Sequence, residues 1–198
     1  MRLWTIQTKA AWDYLQKHGV LRASRKHQSE DWPLAYKWMT DQLSKRVGPP
    51  PSNGMIPLWG WYQCRGQSRK RPDLRFWRFR TNPPGKYTLI ECDLPDEHVV
   101  LSDYDAWHII LNEGFVSVTD DDDDEYYAGC RQYELTPTPE LAEELNRTLY
   151  GSWERVIDME ALTEPGYYAM DRKSIQACFW EIKQDQIKSA KPFTSVGR

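Results

Sequence analysis

The spacing of apolar residues predicts one strand and two helices near the N-terminus. The segment 3–7 has the pattern of a short strand, and Thr8 is placed to cap a helix that continues to His18. Gly19 follows, and glycine at this position supplies the positive φ with which many helices end. A second apolar stripe with helical period covers 33–46 and stops before a stretch rich in proline and glycine.

From Pro57 onwards the pattern favours strands. The strands expected from here are 58–63, 74–80, 87–94, 99–101, 115–118, 175–182 and 187–193. Two more helices are expected, one capped by Ser102 and running to Asn112, the other starting at Thr138. We therefore predict an α+β fold, with a mixed, mostly antiparallel sheet and with helices early in the chain.

The composition is that of a single globular domain over residues 1–198. Hydrophobic residues make up 40% and charged residues 28% of the chain, which excludes a disordered protein. No apolar run approaches the roughly 20 residues that span a bilayer, and no secretory signal follows Met1. We expect a cytoplasmic protein without a membrane partner. Four cysteines without a C-x-x-C pair predict separate reduced thiols and no metal site.

The net charge of −3 conceals two opposite blocks. Between Lys45 and Lys86 there are ten lysines and arginines and one acid, whereas 91–125 holds thirteen acids and no lysine or arginine. The run Asp120 to Glu125 predicts an acidic, extended loop near 119–125, because adjacent like charges repel. Its spacing does not match a calcium loop. As an alternative to a loop exposed to solvent, this acidic loop pairs with the basic block of the same molecule.

The basic block interleaves cations with aromatic residues, as nucleic-acid-binding surfaces do. A basic loop near 64–72 and the aromatic segments on either side would together form this surface. The candidate nucleic-acid-binding residues are Arg65, Arg69, Lys70 and Arg71. The alternative is an edge hairpin whose arginines prevent aggregation while its aromatic residues face the core.

Known catalytic motifs are absent from the sequence. It has no phosphate-binding loop, dinucleotide glycine fingerprint, nucleophile elbow or metalloprotease helix. Standard hydrolase and kinase mechanisms are therefore excluded. Asp105 and His108 share a helix face, which suits either an acid–base pair or a capped helix with a structural histidine.

Several segments together resemble an uncharacterised bacterial and phage family of unknown function. The resemblance covers nearly the whole chain and implies no activity. Its residues are Trp4 to Gln7, Ala35 to Met39 with Arg46, Pro57 to Trp61, Leu101 to Asp103 with Trp107 and His108, Leu111 with Asn112, Ser152 to Arg155, and Gln176 with Ala177.

A second resemblance is to small ADP-ribosyltransferase-like folds. The order strand, helix, glycine and apolar pair in 3–21 is similar to the start of these folds, and 175–180 resembles their closing strand. The resemblance implies NAD as a substrate and a nicotinamide site on the first strand. It also implies a glutamate that stabilises positive charge at the sugar carbon, a task that Cys178 at that position cannot perform. Both an altered transferase and a protein that only binds the nucleotide fit this departure.

From this resemblance the candidate catalytic residues are Gln7, Gln176 and Glu181. The candidate cofactor-binding residues are Thr5, Tyr36, Trp59, Trp61 and Arg78. Alternation places Thr5 and Gln7 on one strand face, and it separates Trp59 and Trp61 by about 7 Å along another. An ordinary edge strand and ordinary core packing are the alternatives.

Two functions are therefore expected from the sequence. The first is an NAD- or nucleotide-binding, ADP-ribosyltransferase-like protein that transfers ADP-ribose to a nucleic acid or a protein. The second is a non-catalytic nucleic-acid- or protein-binding module, of a phage or defence system, that uses the basic aromatic hairpin.

Overall fold

A six-stranded antiparallel sheet is the centre of the fold. The computed structural model describes residues 1–25, 31–75, 83–163 and 166–196. The strands within these ranges are β1 (Arg2–Thr8), β2 (Val20–Ser24), β3 (Met55–Ile56), β4 (Leu58–Gln63), β5 (Gly85–Asp93), β6 (Val100–Asp103), β7 (Ile175–Phe179), β8 (Glu181–Lys183) and β9 (Ile187–Ser195). The main sheet has the strand order β6-β7-β4-β1-β5-β9, and a second, three-stranded sheet has the order β3-β2-β8. The α+β class and the mostly antiparallel sheet are confirmed.

Five α-helices lie in the described ranges, and the capping residues explain where most of them begin. They are α1 (Lys9–His18), α2 (Pro33–Val47), α3 (Tyr104–Leu111), α4 (Asp120–Leu135) and α5 (Pro139–Ser152). Thr8 accepts a hydrogen bond from the Ala11 N–H, and Gly19 ends α1 with φ 75°, both as predicted. The cap of α3 is Asp103 and not Ser102, which is still in β6. None of the helices in these ranges is both long and apolar enough to cross a membrane.

The main sheet has an apolar core on each face. On one face Leu3, Ile90 and Phe179 pack with Leu15 of α1. On the other face Cys178 is in the core formed mainly with α2, α3 and the 3₁₀ turn after α5. Three of the tryptophans follow this division, since Trp153 and Trp180 are buried in the second core and Trp12 packs against the first.

The acidic run is a helix start and not the extended loop expected. Asp120 to Asp123 form the first turn of α4, and the Thr119 hydroxyl accepts from the Asp122 N–H. The exposed N–H groups and positive dipole end of a helix stabilise carboxylates there, which offsets their repulsion. Burial acts to raise the pKa of Asp122, but hydrogen bonds from Arg155 and the Val118 N–H hold it below its ordinary value. Among the described residues, no ion pair joins this run to the basic segment.

One other expectation differs from the structure. The segment 115–118 is irregular and not a strand, although Phe115 and Val116 are buried. Most of the strand expected over 74–80 lies outside the described residues, and so does Arg78.

Candidate functional site

One row of side chains crosses the main sheet from β6 to β1. Ser102 is paired with Gln176, Gln176 with Trp61, and Trp61 with Trp4. Directly paired residues on antiparallel strands project to the same face, so these four side chains form one continuous row, which we call the polar row.

The polar row contains polar atoms that the protein does not satisfy. In the described parts of the chain, three buried side-chain polar atoms have no hydrogen-bond partner: Trp4 Nε1, Ser102 Oγ and Gln176 Oε1. All three belong to the row. Most buried polar atoms in proteins are paired, and each one left unpaired costs about 1–3 kcal/mol. Because all three lie in one row, we take the polar row as the candidate functional site.

Aromatic rings flank the row beside Gln176. The ring centroids of Trp61 and Tyr104 are 5.0 Å apart with an interplanar angle of 51°, and His108 lies edge-on to Tyr104 at 4.4 Å. Trp61, Tyr104 and Gln176 are half-buried, whereas Trp4 and Ser102 are buried. The partly exposed members of the row, Trp61 and Gln176, therefore lie beside Tyr104. We call Trp61 and Tyr104 the aromatic pair.

A buried ion pair fixes the position of Tyr104. The Lys173 ammonium lies 2.6 Å from the Asp103 carboxylate, and the two side chains are 1% and 2% exposed. Asp103 also accepts the N–H groups of Asp105 and Ala106 at the start of α3. Lys173 Nζ lies 5.5 Å from the centre of the Tyr167 ring. Asp103 is fully engaged within the protein, so we assign the pair a positioning role.

The turn after β4, residues 64–71, carries the predicted basic residues; we call it the basic turn. The Cys64 N–H donates to Lys70 O, the Arg65 N–H to Arg69 O, and the Gly66 N–H to Lys173 O. These bonds hold the shape of the turn without using the side chains of Arg65, Arg69 or Lys70.

Gly66 is required in the basic turn. Its φ is 79°, and a Cβ at this position would lie 2.8 Å from the Asp171 carbonyl oxygen. Arg69 and Arg71 are exposed and form no ion pair within the described ranges. Lys70 lies 5.1 Å above the Tyr62 ring. The turn therefore presents cations on a fixed backbone.

Ser174 joins the basic turn to the aromatic pair. Its hydroxyl donates to Cys64 O at 2.8 Å, and its carbonyl accepts the Tyr104 N–H at 2.9 Å. The backbone of the basic turn and the start of α3 at Tyr104 therefore lie at the same end of strands β4, β7 and β6.

The structure brings some of the predicted site residues together. Trp61 and Gln176 are neighbours in the polar row. Trp59 lies on the same face, with its ring 5.9 Å from Tyr36 and 5.1 Å from Trp107. Burial, and to a lesser degree Cys178, raises the pKa of Tyr36. Trp59 and Tyr36 therefore belong largely to the core beneath α2 and α3.

Other predicted residues lie elsewhere. Thr5 and Gln7 project from the opposite face of β1 to Trp4, because side chains alternate along a strand. Thr5 Oγ1 donates to the Trp59 carbonyl at 2.7 Å, and Gln7 Nε2 donates to Thr5 Oγ1 at 2.7 Å. These two residues do not share a pocket with Trp61 and Gln176.

Glu181 and Cys178 are also separate from the row. Glu181 is in β8 of the second sheet and forms ion pairs with Arg22 at 2.7 Å and Lys183 at 3.4 Å. The Cys178 side chain is fully buried, and burial raises the pKa of its thiol well above its ordinary value. A neutral thiol in the core supplies no charge to a reaction.

Sequence reasoning missed Trp4, Ser102 and Tyr104. Alternation along β1 separates Trp4 from Thr5, but only the pairing of β1 with β4 and of β4 with β7 aligns it with Gln176. Ser102 was interpreted as a helix cap, a role that Asp103 takes.

The fold and the row define a single α+β domain with a candidate ligand site on one face of its sheet. The chain belongs to a family described as a domain of unknown function, DUF3841, whose model matches residues 2–188. This confirms the resemblance to an uncharacterised family. Comparison with curated proteins and with solved structures gave no match.

Proposed function

We propose that this protein binds a nucleotide, with NAD as the leading candidate, on the sheet face that carries the polar row. The observation that supports this most strongly is the set of three unpaired buried polar atoms beside the aromatic pair. A planar heterocycle with hydrogen-bonding edges satisfies both features at once, because its face stacks and its edge pairs.

The aromatic pair suits the base or the nicotinamide ring of such a ligand. Stacking of a base on an aromatic side chain contributes about 1–3 kcal/mol. Trp61 and Tyr104 are half-buried, which leaves part of each ring accessible, and the Asp103–Lys173 pair holds Tyr104 in place.

The basic turn suits the phosphates of the same ligand. Arg69 and Arg71 are exposed, and an arginine guanidinium binds phosphate oxygens in a bidentate manner. Because Ser174 links the turn to Tyr104, one ligand with a ring and a diphosphate can contact both elements.

ADP-ribosyl transfer is the reaction implied by the resemblance to ADP-ribosyltransferase-like folds. Of the candidate catalytic residues, Gln176 lies in the polar row, whereas Gln7 and Glu181 are engaged elsewhere. We therefore propose nucleotide binding first. Transfer is the second step to test, by release of nicotinamide from NAD.

Replacing Trp61 by alanine should weaken NAD binding about 5- to 150-fold, the range that corresponds to one stacked ring. Titration calorimetry with NAD and ADP-ribose measures this. Trp32→Ala is the matched control, because Trp32 is exposed and lies at the start of α2. The proposal fails if the folded wild-type protein gives no heat with either nucleotide at millimolar concentration, or if both variants bind equally well.

The fixed backbone of the basic turn supports a second candidate, a module that binds polynucleotides through phosphate contacts. Such binding weakens steeply as salt rises, because counterions are released from the polynucleotide. Polynucleotide binding by the basic turn does not require a ligand bound at the polar row, and this difference separates the second candidate from the first.

A further inference from the structure

We infer that the polar row selects ligands through a group that both donates and accepts a hydrogen bond, such as a primary carboxamide or the amino edge of adenine. This inference rests on the proposed nucleotide site and specifies which chemistry that site recognises.

The three unpaired atoms differ in what they need. Trp4 Nε1–H can only donate, Gln176 Oε1 can only accept, and the Ser102 hydroxyl can do either. A ligand group that satisfies the row must therefore offer an acceptor to Trp4 and a donor to Gln176. A carboxylate or phosphate offers acceptors alone and leaves Gln176 Oε1 unpaired.

Burial makes this requirement selective. Ser102 is 0% and Trp4 8% exposed, so solvent does not replace a hydrogen bond that the ligand fails to make. Sites built to pair with a polar group reject analogues that lack it far more strongly than apolar pockets reject a missing methyl group. The half-exposed Trp61 and Gln176 lie between the two buried residues and give a ligand access to the row.

The acidic side chains near the row do not change this chemistry. Glu91 pairs with Trp4 across β5 and β1, and its carboxylate accepts from Ser189 and lies 3.4 Å from Arg2. Asp103, next to Ser102, is engaged by Lys173. Each carboxylate is paired with a cation of the protein, so neither alters what the unpaired atoms of the row require.

Two parts of NAD can both donate and accept a hydrogen bond. Comparing the affinities of NAD and three analogues shows which part the row binds. The nicotinamide end has a carboxamide, and the adenine end has an amine beside a ring nitrogen acceptor. If the row binds the carboxamide, NAD should bind at least about tenfold more tightly than its nicotinic acid analogue and ADP-ribose. If it binds adenine, these three should bind alike, and removing the exocyclic amine from ADP-ribose should weaken binding at least about tenfold.

The variants Ser102→Ala and Trp4→Phe test the row itself, because each removes one unpaired polar atom and keeps most of the side chain. Each should weaken binding of the preferred nucleotide at least about tenfold in calorimetry. Ser102→Ala should leave the melting temperature of the ligand-free protein unchanged or raised, because it removes an unsatisfied buried group with almost no change in volume. Trp4→Phe also shrinks a buried side chain, so only its affinity for the nucleotide is compared.

The outcomes separate this inference from the proposed function. If the wild-type protein binds no nucleotide, both are wrong. If it binds nucleotides but Ser102→Ala and Trp4→Phe bind as tightly as wild type, the inference alone is wrong. It is also wrong if Ser102→Ala lowers the melting temperature without ligand, since the Ser102 hydroxyl would then be satisfied by structural water.

Discussion

Replacing Asp103 by alanine should lower the free energy of unfolding by about 3–5 kcal/mol. The substitution leaves the Lys173 ammonium buried without its counter-ion, since that side chain is 1% exposed. It also removes the cap that satisfies the Asp105 and Ala106 N–H groups at the start of α3. Urea unfolding followed by circular dichroism measures the change.

The double variant Asp103→Ala with Lys173→Met should recover part of this loss, because it removes the unpaired charge and leaves only the missing cap. The matched control is Asp41→Ala, which breaks the exposed Lys37–Asp41 pair of α2 and should cost at most about 1 kcal/mol. The positioning role of the Asp103–Lys173 pair would be contradicted in either of two cases. In the first, Asp103→Ala lowers the free energy of unfolding no more than Asp41→Ala does. In the second, the effects of Asp103→Ala and Lys173→Met simply add in the double variant.

Reversing two charges of the basic turn should weaken NAD binding about a hundredfold or more. Arg69→Glu with Arg71→Glu removes two exposed cations, and each hydrogen bond to a charged group contributes about 1.5–3 kcal/mol. The backbone bonds of the turn do not involve these side chains, so its shape should persist. Calorimetry at two salt concentrations measures both the affinity and its electrostatic part.

The control for this pair is Lys86→Glu with Lys191→Glu, which changes the net charge equally at exposed positions on β5 and β9. It should leave NAD binding within about threefold of wild type, since exposed charges beyond the Debye length are screened. Equal losses in the two double variants would mean that the turn is not a phosphate site. If the Arg69 and Arg71 variant loses RNA or DNA binding but keeps NAD binding, the turn serves the second candidate function instead.

Local signals predicted the ends of α1 correctly. Thr8 and Gly19 act through bonds and dihedral angles within a few residues, so the sequence around them contains all that is needed. The acidic run was interpreted from charge repulsion alone. The competing effect, stabilisation of carboxylates at a helix N-terminus, is also local and begins at the Thr119 cap. Only the ion pair of Asp122 with Arg155 comes from a residue distant in sequence.

The candidate site was predicted only in part, because it depends on strand register. Alternation assigns Trp61 and Gln176 to faces of their own strands but does not say which faces of β4 and β7 coincide. The pairing of Trp61 with Gln176 brings these two together, whereas the pairing of Trp4 with Trp61 turns Thr5 and Gln7 to the other side. Ser102 and Trp4 join the site for the same reason, through contacts distant in sequence.

The indole N–H signals of the protein give the most direct test of the site. When the ¹⁵N-labelled protein is titrated with NAD, we expect the indole N–H signals of Trp4 and Trp61 to shift in the ¹⁵N–¹H spectrum. The variants Trp4→Phe and Trp61→Phe assign these two signals. The signals of Trp32, at the start of α2, and of Trp12, which packs with the core on the opposite face of the sheet, should stay in place. Unchanged Trp4 and Trp61 signals at millimolar NAD, or a shift at Trp12 in their place, would contradict a nucleotide site on the polar row.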